Sequence, residues 1–151
     1  MTQRSGFYAG TFDPFTTGHQ SVVDRALSIF DTVVVGIGLN AAKQPFESPQ
    51  QRMERIAAVY RNNERVRVVT YQGLTADAAR AEGCTHLLRG VRTAADFEYE
   101  RAMADANRSI SGLETVLLYT LPELSYVSSS LVRDLASHGH NITQFLPDTK
   151  K

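Results

Sequence analysis

Sixteen lysines and arginines balance sixteen aspartates and glutamates in a chain of 151 residues, which argues against a nucleic-acid binder dominated by phosphate contacts, since such proteins carry a basic excess. With 42% hydrophobic and 21% charged residues, the composition is that of a soluble globular domain long enough to bury a core without staples. One cysteine, Cys84, excludes an internal disulfide and a cysteine-rich zinc site; no apolar run approaches the roughly 20 residues of a membrane span, and Met1 to Ser5 lacks signal-peptide character, so a cytoplasmic setting without membrane or nucleic-acid partners is expected.

The chain alternates short apolar runs with helical periodicity. Gly6 to Ala9 reads as a first strand, ending at Gly10. Thr17 can cap the next helix with Gln20 as its capping-box partner, and Val22, Val23, Ala26, Leu27 and Phe30 mark its buried face. Thr32 to Ile37 is a β-branched run suited to a parallel strand covered on both sides. After a loop from Asn40 to Glu47, Ser48, Pro49 and Gln51 give N-cap, first-turn proline and capping-box partner for a helix to about Tyr60. Val66 to Tyr71 is a strand, and Thr75 can cap a short helix closed by Gly83. His86-Leu87-Leu88 is a strand breaking at Arg89-Gly90. A longer helix is expected from near Ala95 to Ser109, burying Phe97, Ala102, Met103 and Ala106. Glu114 to Tyr119 is the last strand, and Ser128 or Ser129 caps a helix carrying Leu131, Val132 and Leu135, with Gly139 at its end.

Five strands alternating with helices imply an α/β fold: one domain over residues 1–151, built on a doubly wound, five-stranded parallel sheet of Rossmann-like type. Ligands of such sheets bind beyond the carboxyl ends of the strands, near a switch in strand order. That rule selects the loops Gly10 to His19, Asn40 to Glu47, Gly73 to Thr75, Arg89 to Arg92 and Leu121 to Ser130.

In the first loop, Gly10 allows close backbone approach to a ligand, and Thr11 offers a hydroxyl and an N–H to an anion. Gly18 leaves a helix N-terminus open, with free donors and positive dipole character. His19, in the first turn, stands where it could donate to a phosphate oxygen as charge builds in a transition state. Lys43 lies in the loop after the second strand. Arg89 and Arg92 flank Gly90 at a strand end, where guanidinium forks suit phosphate oxygens better than isolated surface ion pairs. Ser128, Ser129 and Ser130 open a helix that could hold phosphate while one of them caps it. Gly36-Ile37-Gly38-Leu39-Asn40-Ala41 mimics a dinucleotide fingerprint, but Pro45 and Pro49 keep the next helix from opening on it. Cys84 reads as an apolar filler, and His86, His138 and His140 lack metal-ligand spacing.

The strand, Gly10-Thr11-Phe12-Asp13-Pro14 and Thr16-Thr17-Gly18-His19 together resemble the nucleotidyltransferases marked by a Thr-x-Gly-His signature, and most of all the phosphopantetheine adenylyltransferases. The resemblance continues in register through the lysine loop, Arg89-Gly90-Val91-Arg92, Asp96-Phe97-Glu98-Tyr99-Glu100 and Ser128-Ser129-Ser130. It implies transfer of the adenylyl group of ATP to 4′-phosphopantetheine, giving dephospho-coenzyme A and pyrophosphate, with Mg²⁺ on the ATP phosphates. It implies a catalytic set of Thr11, His19, Lys43 and Arg92, and phosphopantetheine contacts from Thr11, Lys43, Thr75 and Arg89. ATP contacts are implied for Thr11, Phe12, His19, Gly90, Val91, Arg92 and Glu100, and for Ser125, Tyr126, Val127, Ser128, Ser129, Ser130 and Leu131. A homohexamer is implied too, with coenzyme A as a product-like ligand of the same pocket. Asn107 and Asp134 fall near substrate-side positions. Departures from the family pattern are Ala9 in place of proline, Thr17 in place of asparagine, Thr75 in place of a larger apolar residue and Asp134 in place of glutamate; relatives also tend to continue beyond the position of Lys151 with a further helix. Alternative readings are a sister enzyme acting on nicotinate or nicotinamide mononucleotide, a cytidylyltransferase, or a non-catalytic nucleotide-binding domain.

Overall fold

The computed structural model describes residues 2–150. Five strands, β1 (Ser5–Gly10), β2 (Thr32–Gly38), β3 (Val66–Tyr71), β4 (His86–Val91) and β5 (Glu114–Tyr119), form one parallel sheet in the order β3-β2-β1-β4-β5. The chain builds outward from β1 through β2 to β3, then returns to place β4 on the other side of β1. The crevice this reversal opens between β1 and β4 is where a doubly wound sheet binds ligands. In register, Phe7 lies beside Val34 and Leu87, and Tyr8 beside Val35 and Leu88.

Five helices cover the sheet: α1 (Thr17–Ala26), α2 (Pro49–Val59), α3 (Thr75–Ala81), α4 (Ala94–Ser111) and α5 (Ser129–Ser137). Alternation along the strands sorts the core into two layers. Tyr8, Val33, Val35, Ile37 and Leu88 pack with Val22, Val23 and Ala26 of α1 and Ile56 of α2. Phe7, Ala9, Val34 and Leu87 pack on the opposite face with Ala79 of α3 and Cys84. Cys84 is a buried free thiol, and burial raises its pKa, so it is an inert filler. Val127, Val132 and Phe145 form a third small cluster that seats α5.

Most strand bounds match the apolar runs, and Ser48 with Gln51 forms the expected capping box of α2. Four local readings are corrected. The cap of α1 is Thr16, one residue earlier than expected, and its box partner is His19. Thr75 is the first residue of α3 and does not cap it; its hydroxyl pairs with that of Tyr71 at 2.9 Å. β4 does not break at Arg89: pairing with β1 stops at Leu88, but β5 carries the ladder through Arg89, Gly90 and Val91. Lastly, α4 does not bury Phe97, Ala102, Met103 or Ala106; Glu100 is its buried residue. The reason is position, because α4 lies over β4 and the edge strand β5, where there is little sheet to cover it.

Gly36 shows how tightly the central strands pack. A Cβ there would stand 2.3 Å from the Phe7 ring, which is fully buried. Gly36→Ala is therefore expected to cost about 1–3 kcal/mol, read as a lower urea midpoint; an unchanged midpoint would mean that Phe7 has room to move.

Candidate active site

Beyond β1 the backbone turns sharply through Phe12, whose φ is 51°. A non-glycine residue holds this left-handed conformation only where its surroundings over-determine it. Here they do. The Phe12 ring packs edge-on against Tyr8 at 5.1 Å, Phe15 at 5.4 Å and His19 at 4.9 Å between centroids. Gly10 makes this possible, since a Cβ at Gly10 would stand 2.8 Å from the Phe12 ring. Gly10 thus makes room for a protein ring, in addition to bordering the cleft.

The loop backbone is gripped from several elements. Arg52 of α2 donates to the Thr11 carbonyl at 2.9 Å, and Arg133 of α5 donates to that of Asp13 at 2.8 Å. Ser129 donates to the Pro14 carbonyl at 2.8 Å. The Asp13 carboxylate accepts the N–H groups of Phe46 at 2.8 Å and Glu47 at 2.7 Å. Glu47 is held in turn by Arg55, whose Nε lies 3.0 Å from one carboxylate oxygen.

His19 is fixed by the cap it helps to make. Its Nδ1 accepts the Thr16 backbone N–H at 3.0 Å, while Thr16 Oγ1 accepts the His19 N–H at 3.4 Å. An accepting Nδ1 places the proton of the neutral ring on Nε2. The ring stacks on Phe15 at 5.5 Å. Burial, then the charges of Arg92 and Arg89, pull its pKa from the usual 6.5 down to about 3. His19 is therefore a neutral donor at physiological pH.

Arg89, on the β4 segment beyond β1 pairing, reaches across the crevice and donates to the Ala9 carbonyl. It also forks onto Glu100, with Nε and Nη2 each meeting one carboxylate oxygen at 2.9 and 2.7 Å. Burial alone would lower the Arg89 pKa, but the hydrogen bonds and charge of Glu100 outweigh it and raise it. Glu100 is not a solvated helix acid, because both its oxygens serve Arg89. Arg92 is more exposed and takes Asp96 as its neighbour, through its N–H at 3.1 Å.

These groups line a cleft of about 490 Å³. Of the residues singled out in the sequence, Thr11, Phe12, His19, Arg89, Gly90, Arg92, Glu100, Val127 and Ser128 to Ser130 border it. Ser128 caps α5 through Leu131 N–H, so capping and cleft lining coincide. Val91 is buried beside the cleft, Tyr126 is exposed against Phe145, and Ser125 bonds back to Pro122; these and Leu131 do not line it. Lys43 borders a neighbouring cleft of about 500 Å³ together with Thr11, Asp13, Asn40, Arg52 and Arg133. Thr75 lines a smaller cavity of about 140 Å³ with Arg89, Glu100, Tyr99, Met103 and Asn107. Thr11 is thus shared by the two large clefts, and Arg89 by the first cleft and the small cavity.

Comparison with known proteins agrees with this geometry. Residues 7–135 match the cytidylyltransferase-like family. A phosphopantetheine adenylyltransferase of Porphyromonas gingivalis is 48% identical over 98% of this chain and 97% of its own length. One from Phocaeicola vulgatus is 47% identical over 98% of each chain. The chain belongs to the phosphopantetheine adenylyltransferase family. Its fold is shared more widely among nucleotidyltransferases: a bifunctional NMN adenylyltransferase/ADP ribose pyrophosphatase of Francisella tularensis, complexed with AMP and a manganese ion, superposes with a TM-score of 0.72 at 14% identity, over 97% of this chain and 45% of that one.

As a member of this family the chain is a nucleotidyltransferase, and its site includes residues that sequence reasoning passed over. Arg52 sits four residues before the core residue Ile56 on the same helical face, a spacing that marks it as inward-facing. Asp13 was visible only as part of a motif, because its partners Phe46 and Glu47 lie far along the chain. Arg133 carries no sequence signal at all.

The depressed His19 pKa has a measurable consequence. Its folded value lies below the unfolded one, so the native state binds fewer protons. Stability from the neutral ring is complete above about pH 6.5 and is lost as pH falls from there toward 3. Nitrogen NMR should find His19 neutral and protonated on Nε2 from pH 5 to 8; a titration near pH 6.5 would contradict this environment.

Proposed function

We propose that this chain transfers the adenylyl group of ATP to 4′-phosphopantetheine, yielding dephospho-coenzyme A and pyrophosphate, within one domain spanning residues 1–151. A phosphate oxygen of phosphopantetheine attacks the α-phosphorus, and the bond to the β-phosphate bridging oxygen breaks in line. No covalent enzyme intermediate is involved, and catalysis rests on alignment and charge stabilisation. The observation that carries the reading is the sharing of Thr11 and Arg89 between adjoining cavities, which supports two substrates lying side by side at the end of β1.

ATP occupies the cleft of His19, with Gly90, Arg92 and Glu100 on one side and Val127 to Ser130 on the other, while Val91, Ser125, Tyr126 and Leu131 stand behind this lining. His19 donates from Nε2 to an α-phosphate oxygen as negative charge grows there, and its low pKa keeps it a neutral donor throughout. Arg92 faces the same phosphates. Thr11 and Lys43 align the attacking phosphate, Arg89 holds it, and Thr75 borders the pantetheine arm. Among the described residues no cluster of His, Cys, Asp or Glu is arranged to hold a metal ion. The acids that border the first cleft, Asp96 and Glu100, already stand beside Arg92 and Arg89. A magnesium ion would come with ATP rather than from a protein cage, and would supply charge neutralisation at the phosphates. Dephospho-coenzyme A, and coenzyme A as a product-like feedback ligand, use the same clefts.

We further propose a homohexamer acting in the cytoplasm. Exposed Phe97, Tyr99, Met103 and Ile110 on α4 offer apolar surface for assembly, and no helix among the described residues is long and apolar enough to cross a membrane.

Pyrophosphate release with ATP and a panel of acceptors tests the reaction. 4′-Phosphopantetheine should be used far better than nicotinamide mononucleotide or nicotinate mononucleotide, and the reverse order would favour a sister enzyme. His19→Ala should lower kcat by at least about 100-fold with little change in the ATP KM; near-normal turnover would remove His19 from the mechanism. Arg89→Ala would strand the Glu100 carboxylate without a partner, so the informative variant is Arg89→Gln with Glu100→Gln. It should raise the KM for phosphopantetheine more than that for ATP, and the opposite split would mean that the two substrate sites are exchanged.

A further inference from the structure

The lysine loop is tied to the rest of the molecule in an unusual way. From Ala41 to Phe46 it has no regular structure, and its side chains are exposed. Near its start, Ala42 and Lys43 donate only to Asn40, inside the loop itself. At its far end, Phe46 and Glu47 donate their backbone N–H groups to the two oxygens of Asp13. Asp13 is 6% exposed, so this charge is withdrawn from water and satisfied by those two donors. Asp13 is anchored in its turn, because Arg133 of α5 holds its carbonyl and Arg52 of α2 holds that of Thr11.

We infer that Asp13 is a positioning residue for the transfer reaction, which sets the place of Lys43 relative to Thr11 by clamping the end of the lysine loop to the Gly10–Pro14 turn. The inference rests on the proposed role of Lys43. Only a carboxylate fits the task, because two N–H donors converge on it and each needs an acceptor. An asparagine matches the shape but turns its NH₂ toward one donor, leaving that N–H opposed and buried. The loop is then free to hinge at Asn40, and Lys43 loses its placement on the cleft it shares with Thr11. Arg52 and Arg133 border the same cleft as Lys43, so the clamp and the lysine act on one space.

The test is a double-mutant cycle on the full-length enzyme with ATP and 4′-phosphopantetheine. Asp13→Asn is expected to lower kcat about 10- to 100-fold, with the ATP KM within about twofold. In a Lys43→Ala background the same substitution should cost little more, because the residue it positions is gone. A purely structural role would multiply the two losses, and that outcome overturns the inference alone. Normal turnover in Lys43→Ala by itself would overturn the role of Lys43, and this inference with it. Should Asp13→Asn not fold, amide exchange in the wild-type enzyme decides: Phe46 and Glu47 must be protected while Gln44 exchanges freely. Equal exchange at all of these positions would mean that no clamp exists.

Discussion

The Phe12 ring is the keystone of the site. It lodges among Tyr8, Phe15 and His19, and to do so the backbone adopts a left-handed turn that glycine at position 10 alone leaves room for. This packing carries the turn of Gly10 to Pro14 outward from the central strand and walls one side of the imidazole with hydrocarbon. The Thr16–His19 capping box then fixes the ring from below. One helix cap therefore starts α1 and also selects the tautomer of the histidine that borders the cleft. The aromatic wall keeps that residue uncharged, and the neighbouring arginines reinforce the effect.

Around this centre the charges are arranged so that a neutral chain presents a cationic site. Arg89 and Arg92 stand at the end of β4, and Lys43, Arg52 and Arg133 border the adjoining cleft. Their partners are chosen to orient them. Glu100 forks onto Arg89 and aims it across the crevice to the Ala9 carbonyl, while Asp13 spends both oxygens on the lysine loop and none on a cation. A guanidinium already held by a carboxylate and a carbonyl has little freedom left to lose on meeting an anion, which is what preorganisation means for such a group.

The geometry also accounts for a difference between two halves of the sheet. On the side of α1 and α2 the core is deep and apolar, and the loops that carry Thr11, Asp13 and His19 are braced against it. On the side of α4 the sheet ends at β5, and Phe97, Tyr99, Met103 and Ile110 remain uncovered. A helix whose buried residue is an ion-paired glutamate and whose apolar residues face outward is placed for association with another surface rather than for its own core.

Much of this was written in local sequence. Alternating apolar runs and caps determined five strands and their helices, since hydrophobic period and capping chemistry act within a few residues. The spaced blocks from Gly10 to His19, at Lys43, at Arg89 to Arg92 and at Ser128 to Ser130 marked the family by resemblance, since their residue types and order are themselves local sequence. Tertiary structure decided what depends on distant partners. Glu100 became buried because Arg89 meets it there, and β4 ran on to Val91 because β5 pairs with it. Phe97 and Met103 stayed exposed because α4 lies at the edge of the sheet, over β4 and β5. Asp13 found its partners thirty-odd residues away, an encounter set by the fold and invisible to any local pattern.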